Sequence, residues 1–346
     1  MNPSPTTVSG SASPASESPA SANQTAATPT IAGSSAPDSS LKQPTAASAR
    51  GASSDSTRAR LRLGLPKGRM NQGICTLLAE AGLAVRTTAR DYRPRLSNAD
   101  FDVKLLKPQN VVQMLAQGSR DIGFAGADWV AELNVDVVEL LDLQLDPVRI
   151  VAAAPDALLV DGKLPTGPQQ RPLRIATEYA ALTRTWLGET GLDATLVQSF
   201  GATEAFPPDD ADLIVDNTST GTTLRQNGLT ITDEIFASST RLFANPASLE
   251  APELRQQIDE FVLLLRSVLA ARARAMLDVN VPREQLDRVI AELPAMQQPT
   301  VAPLHGGTGF AVRAAVPRAE LPRLLPLLRQ AGARDLVVSP VTQLIP

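Results

Sequence analysis

Two hydrophobic patterns alternate along most of the chain. Short apolar runs at residues 61–65, 101–106, 121–126, 148–154, 173–177, 194–197 and 213–215 have the length of buried strands. Helical spacing separates several of them. Ile74, Leu77, Leu78 and Ala81 stand at i, i+3, i+4 and i+7 with Gly82 as a stop, and Val111, Val112 and Leu115 follow Pro108 and end at Gly118. A further helix runs through Leu187 after the strand at 173–177. This alternation predicts an α/β chain with a parallel sheet in each of two lobes. Residues 229–243 are extended and β-branched, a return path from the second lobe to the first. A long helix is predicted over 252–277, with Leu254, Ile258, Phe261, Val262, Leu265, Val268 and Leu269 as one apolar stripe.

The pattern changes near residue 275. Strands at 275–281, 300–304, 310–316 and 336–339 enclose helices at 283–293 and 318–331, with a glycine turn at 306–309. Pro326 should kink the second helix. The order βαββαβ is the ferredoxin-like arrangement.

Composition narrows the function. The chain has 346 residues, enough for two or three domains. A net charge of −4 argues against a general nucleic-acid binder. One Cys excludes an intrachain disulfide and a cysteine cluster for zinc. That residue, Cys75, lies on an apolar helix face and reads as core filler. The single His, His305, lies in the glycine turn and reads as a surface residue, so mechanisms that need a His pair are excluded. No apolar run approaches the ~20 residues that span a bilayer. Residues 1–57 are Ser, Thr, Ala, Pro and Gly with few large apolar side chains, so a disordered tail is expected there. The tail lacks the apolar core of a secretory signal, and a cytoplasmic protein is expected.

Candidate chemistry concentrates at residues 211–224, ADLIVDNTSTGTTL. The reading is strand, loop, helix. Unpaired N–H groups and the dipole at such a helix start favour an anion. The hydroxyls of Thr218, Ser219, Thr220, Thr222 and Thr223 add donors, and Gly221 admits a close ligand. Asp212 and Asp216 suit sugar hydroxyls or a hard cation such as magnesium. The alternative is an ordinary turn whose hydroxyls cap a helix. Lys67 and Arg69, around Gly68, follow the first strand; they suit phosphate at a strand's carboxyl end or form a solvated turn. The basic loop at 90–95 leaves the same two readings open.

Three stretches carry a family resemblance. Gly201-Ala202-Thr203-Glu204 precedes Asp212-Leu213-Ile214-Val215-Asp216 and Thr220-Gly221-Thr222-Thr223-Leu224. Leu65-Pro66-Lys67-Gly68-Arg69 opens the fold, and LKPQNVVQMLAQGSRDIGFAGADW spans 106–129. Together they resemble ATP phosphoribosyltransferases of the long form, from about residue 60 to the C-terminus. Two departures stand out: residues 204–212 are one shorter than the family spacing and lack its glycine, and Asn217 replaces an aliphatic residue.

The resemblance implies a two-lobed, periplasmic-binding-protein-like catalytic part followed by a ferredoxin-like (ACT-like) regulatory domain. Lobe I is expected at 58–150 and 240–272, lobe II at 151–239 and the regulatory domain at 273–346. ATP and phosphoribosyl diphosphate are the implied substrates and Mg2+ the implied cofactor. The resemblance assigns Thr218, Ser219, Thr220, Gly221, Thr222 and Thr223 to the ribose phosphate and Glu204 to the same substrate. Lys67, Gly68 and Arg69 go to di- or triphosphate, and Asp212 and Asp216 to ribose hydroxyls or magnesium. Asp128 is placed for a nucleotide contact, or simply caps a helix. Histidine is the implied inhibitor, at Asp278, Thr300 and Ala302, and the implied assembly is a hexamer. The rival class is a non-catalytic two-lobed binding protein, or an inactive paralogue that still binds nucleotide.

Overall fold

The computed structural model describes residues 60–86, 92–98, 100–165, 167, 170–294 and 298–345. The expected tail at 1–57 and residues 90 and 91 of the basic loop lie outside the described residues.

Lobe I begins with β1 (Leu61–Pro66) and α1 (Arg69–Glu80), followed by a small hairpin of β2 (Val85–Arg86) and β3 (Arg95–Leu96). Then come β4 (Phe101–Leu106), α2 (Pro108–Ala116), β5 (Ile122–Gly126) and α3 (Ala127–Leu133). β4, β1 and β5 are parallel neighbours. The long strand β6 (Val138–Pro155) leads to lobe II, which holds β7 (Leu173–Thr177), α4 (Ala180–Thr190), β8 (Ala194–Gln198), β9 (Leu213–Thr218) and α5 (Thr222–Gln226). β9, β7 and β8 are again parallel. The chain returns along β10 (Leu229–Ala244), then α6 (Pro246–Glu250) and α7 (Pro252–Arg272).

The two parallel blocks are not separate sheets. β6 and β10 pair antiparallel along most of their length and join everything into one eight-stranded sheet, β4-β1-β5-β10-β6-β9-β7-β8. The expected strand at 148–154 is the second half of β6. Its first half alternates polar and apolar residues, and Gln144 and Asp146 have positive φ. The β6–β10 ladder carries five register shifts, which bend and twist the ribbon where it crosses between lobes.

Each lobe has its own core. In lobe I, Ile74, Leu77 and Leu78 of α1 and Ile258, Phe261, Leu265 and Val268 of α7 close on one face of the sheet, and α2 covers the other. In lobe II, Tyr179 and Trp186 pack on Ile175, Leu213 and Val215. Trp129 of α3 packs against core residues of both lobes. Cys75 is half-buried on α1, its thiol against Asn71.

The last segment is β11 (Arg274–Pro282), α8 (Leu286–Ala291), β12 (Thr300–Pro303), β13 (Gly309–Pro317), α9 (Leu321–Ala331) and β14 (Arg334–Pro340). Its antiparallel sheet has the order β12-β13-β11-β14, which is the ferredoxin-like topology. Leu277, Val279, Val312 and Val316 face the helices. α9 runs on through Pro326, with Leu324 and Leu328 buried beside it. Among the described residues no helix is long and apolar enough to cross a membrane.

Candidate functional site

β7 and β9 run parallel with Thr177 opposite Val215, so the residues that follow them emerge together. Glu178 and Tyr179 leave β7; Asp216, Asn217 and Thr218 end β9. The turn from β8 closes over the same edge. The Ser199 N–H donates to the Thr177 carbonyl, the Ser199 and Thr203 hydroxyls lie 2.9 Å apart, and the Thr203 hydroxyl donates to Asp216. Glu204 follows in a short 3-10 turn and adds negative charge near Asp216. The shortened spacing therefore still brings Glu204 to the carboxyl end of β9.

The loop beyond β9 is built around Thr218 and Gly221. Thr218 is buried, and its hydroxyl accepts the Gly221 N–H at 3.0 Å. Gly221 has φ 73°, a left-handed conformation that side chains disfavour, and a Cβ there would sit 3.1 Å from Ile231. The other hydroxyls point outward. Ser219, Thr220, Thr222 and Thr223 are exposed, with Thr220 and Thr222 2.9 Å apart and Arg225 reaching Thr222.

Asp216 is half-buried behind this loop. Burial raises its pKa to about 6, against the lowering effect of bonds from the Asn217 N–H and the Thr203 hydroxyl; Glu178 and Glu204 push it further up.

α3 of lobe I faces this edge. The N–H of Asp128 and one of its carboxylate oxygens both meet the Ser238 hydroxyl, at 3.1 and 2.6 Å; the other oxygen accepts the Tyr179 hydroxyl at 2.9 Å. Asp128 is buried and is not a helix cap; α3 is preceded by Gly126, and no side chain caps it. A Cβ at Gly126 would lie 2.1 Å from the Asp128 carboxylate, so only glycine lets that carboxylate fold back. Trp129 stacks on Tyr179 with centroids 4.8 Å apart. Glu132 accepts the N–H groups of Ala181 and Leu182 at 3.0 Å, seating lobe I on the start of α4. Burial and the Asp128 charge drive the Tyr179 hydroxyl far above its ordinary pKa, so it stays a neutral donor.

Arg69 is exposed at the start of α1 and shares a cleft with Asp128, Tyr179, Asn217 and Ser238. Gly68 precedes it with φ 82° and ψ −149°. Lys67 is placed differently. Its ammonium lies 3.7 Å from the centre of the Tyr92 ring, toward the basic loop.

The expected pairing of Asp212 with Asp216 does not occur. Asp212 precedes β9 at its amino end, roughly 13 Å from Asp216 at ~3.3 Å per strand residue. Its two oxygens accept the Arg171 guanidinium at 2.6 and 2.7 Å, and the Arg174 N–H donates to it at 2.7 Å. Chiefly through Arg171, its pKa falls to about 2. Asp212 is thus a structural anchor, and the two aspartates cannot share one metal ion. Among the described residues, no group of three or more His, Cys, Asp or Glu is disposed to hold a metal.

In the last domain, Asp278 pairs with Arg313 at 2.5 Å, Thr300 lies opposite Arg313, and Ala302 lies opposite Ala311. The three therefore share the sheet face turned away from α8 and α9.

Several participants had not been singled out from sequence. Tyr179 directly follows a parallel strand, a usable signal. Ser238, Trp129 and Glu132 gave none, because their partners lie 49–110 residues away.

The chain is similar to known proteins over most of its length. The family model described as ATP phosphoribosyltransferase (HisG) matches residues 107–267, and that of the HisG C-terminal domain matches 271–343. An ATP phosphoribosyltransferase of Pelotomaculum thermopropionicum is 36% identical over 292 residues, 83% of this chain and 100% of the relative. One from Pelodictyon phaeoclathratiforme is 34% identical over 302 residues, 84% and 99% of the two chains. Among solved structures, a chain of the ATP phosphoribosyl transferase (HisG:HisZ) complex from Thermotoga maritima aligns with a TM-score of 0.53 at 28% identity, over 61% of this chain and 98% of that one.

Proposed function

The chain belongs to the ATP phosphoribosyltransferase family, whose reaction is the first step of histidine biosynthesis, and from that membership we propose how its own residues divide the work. Phosphoribosyl diphosphate seats its ribose phosphate in the loop of Ser219, Thr220, Gly221, Thr222 and Thr223. Thr218 shapes that loop from behind. Asp216 lies where ribose hydroxyls would donate to it, with Glu204 beside it. ATP enters from the lobe I side, past Arg69. An adenine ring nitrogen attacks the anomeric carbon; the new C–N bond forms as the C–O bond to pyrophosphate breaks, and pyrophosphate leaves with the electron pair. The nucleophile is a neutral lone pair, so the residues need only orient two anions and stabilise the departing charge.

The donor set fits magnesium as a companion of the substrate. Asp216 supplies at most one carboxylate oxygen, and the diphosphate and water supply the rest. Bound so, the ion would neutralise the leaving pyrophosphate. Arg69 supports the same charge; Lys67 supports it from beside Tyr92. Asp128 is kept for the nucleotide side of the cleft through its hold on Tyr179.

The C-terminal domain supports feedback by histidine on the face of Asp278, Thr300 and Ala302, and long-form organisation supports a cytoplasmic homo-hexamer. The observation that carries the reading is the glycine-centred hydroxyl loop with Asp216 behind it, joined through Asn217 to the cleft that Arg69 lines. Pyrophosphate release from ATP plus phosphoribosyl diphosphate and magnesium, with and without L-histidine, tests it. Release suppressed by histidine is expected. Release indifferent to histidine would remove the sensor and keep the transferase. No release beside an active control enzyme would favour a binding protein or an inactive paralogue.

A further inference from the structure

One continuous chain of hydrogen bonds crosses from lobe I to the phosphoribosyl loop. The Ser238 hydroxyl donates to Asp128 at 2.6 Å, and the Tyr179 hydroxyl donates to the other Asp128 oxygen at 2.9 Å. The Tyr179 oxygen in turn accepts one N–H of the Asn217 amide at 3.2 Å, and the same amide nitrogen donates to Asp216 at 3.1 Å. Each proton is used once, with Asn217 donating outward to both Tyr179 and Asp216, so the chain closes only if residue 217 carries two donors on one nitrogen. An aliphatic side chain at this position would break it.

We propose that Asn217 and Tyr179 are positioning residues that tie the Asp216 carboxylate to Asp128 of lobe I, and so fix where the ribose-binding half of the site stands relative to the nucleotide half. The kinetic role rests on the transferase reading; the contact itself does not. The lobes have other attachments. The Trp129–Tyr179 stack and the Glu132 contacts with α4 need no hydroxyl on residue 179. Tyr179→Phe therefore removes the relay and leaves the docking in place. Misplacement by about 1 Å in such a site costs up to ~10²-fold in rate.

The test compares Tyr179→Phe, Asn217→Leu and the double variant by pyrophosphate release. Each single variant should lower kcat by about 10–100-fold with KM for phosphoribosyl diphosphate within about threefold, because the loop that binds the phosphate is untouched. The double variant should be no worse than the poorer single one, since one chain is broken only once. A Trp186→Phe background leaves Trp129 as the sole tryptophan. Its emission should be the same with Tyr or Phe at 179, which shows that the stack survives. Singles within twofold of the parent, losses that multiply in the double variant, or a shifted Trp129 emission would overturn the proposal. If the parent protein releases no pyrophosphate, the transferase reading falls and takes the kinetic role with it. Thermal unfolding of the same set then judges the contact: non-additive losses uphold the chain, and additive losses remove it.

Discussion

Two aspartates bracket the apolar centre of β9, and they behave in opposite ways. Asp212, at the amino end, has both oxygens engaged by Arg171 and holds its charge down to about pH 2. Asp216, at the carboxyl end, is half-buried beside Glu178 and Glu204 and releases its proton only near pH 6. The residue type is the same and both flank the same apolar run. The difference comes from strand direction. At the amino end the segment that enters the neighbouring strand β7 brings Arg171 and Arg174. At the carboxyl end the parallel strands open onto a crevice, and the partners of the charge there, Asn217 and Thr203, are uncharged. One end spends its carboxylate on the fold. The other keeps it available for a ligand, at some cost to native stability.

The largest effect should come from the loop at the carboxyl end. Gly221→Val places a branched side chain at φ 73° against Ile231 and shifts the N–H that Thr218 holds. Turnover should fall about 10²–10³-fold, comparable to losing a preorganised donor. Steady-state pyrophosphate release checks it, and near-normal turnover would take the loop out of the site.

Next in size is Asp216→Asn. It removes charge-assisted bonds to ribose, and kcat/KM should fall by about 10–100-fold, the equivalent of roughly 1.5–3 kcal/mol. Stability should move the other way. The folded pKa of Asp216 lies above its unfolded value, so its contribution is favourable below about pH 4 and is lost as pH rises through about 6. At pH 8 the amide variant should therefore unfold at a higher temperature than the parent, and the gain should disappear near pH 4. A variant less stable at pH 8 would show that Asp216 is as well partnered as Asp212.

Much of this was legible in the sequence, and the failures have physical causes. The run Leu213-Ile214-Val215 followed by hydroxyls and Gly221 announced a strand, a loop and a helix start. The βαββαβ order of the last domain followed from spacing alone. Asp212 was misplaced because symmetry about an apolar run says nothing of strand direction. The first half of β6 was missed because its alternating residues do not form a regular ladder, with register shifts and positive φ at Gln144 and Asp146. The partners of Asp128 were invisible because Tyr179 and Ser238 lie 51 and 110 residues away. Local pattern carries no information about contacts at that range.

The smallest effect should belong to Asp212, and it is the one that decides whether the two ends differ in kind. Asp212→Asn keeps the side chain's shape and acceptor oxygen but loses the charge that faces Arg171. The pair is partly exposed, and such pairs are worth about 0–1 kcal/mol. The midpoint of unfolding should fall by only about 1–3 °C at neutral pH. Because the folded pKa of Asp212 is depressed, its stabilisation is present above about pH 4 and lost as pH falls through about 2. The gap between variant and parent should therefore close on acidification, the reverse of the trend at Asp216. Turnover should stay within about twofold, since the side chain sits roughly 13 Å from Asp216, at the far end of the strand from the loop. A loss of turnover matching that of Asp216→Asn would mean that the amino end of β9 sets the geometry of the carboxyl end. The strand would then act as a rigid lever between the two carboxylates, and Asp212 would belong to the machinery of the site after all.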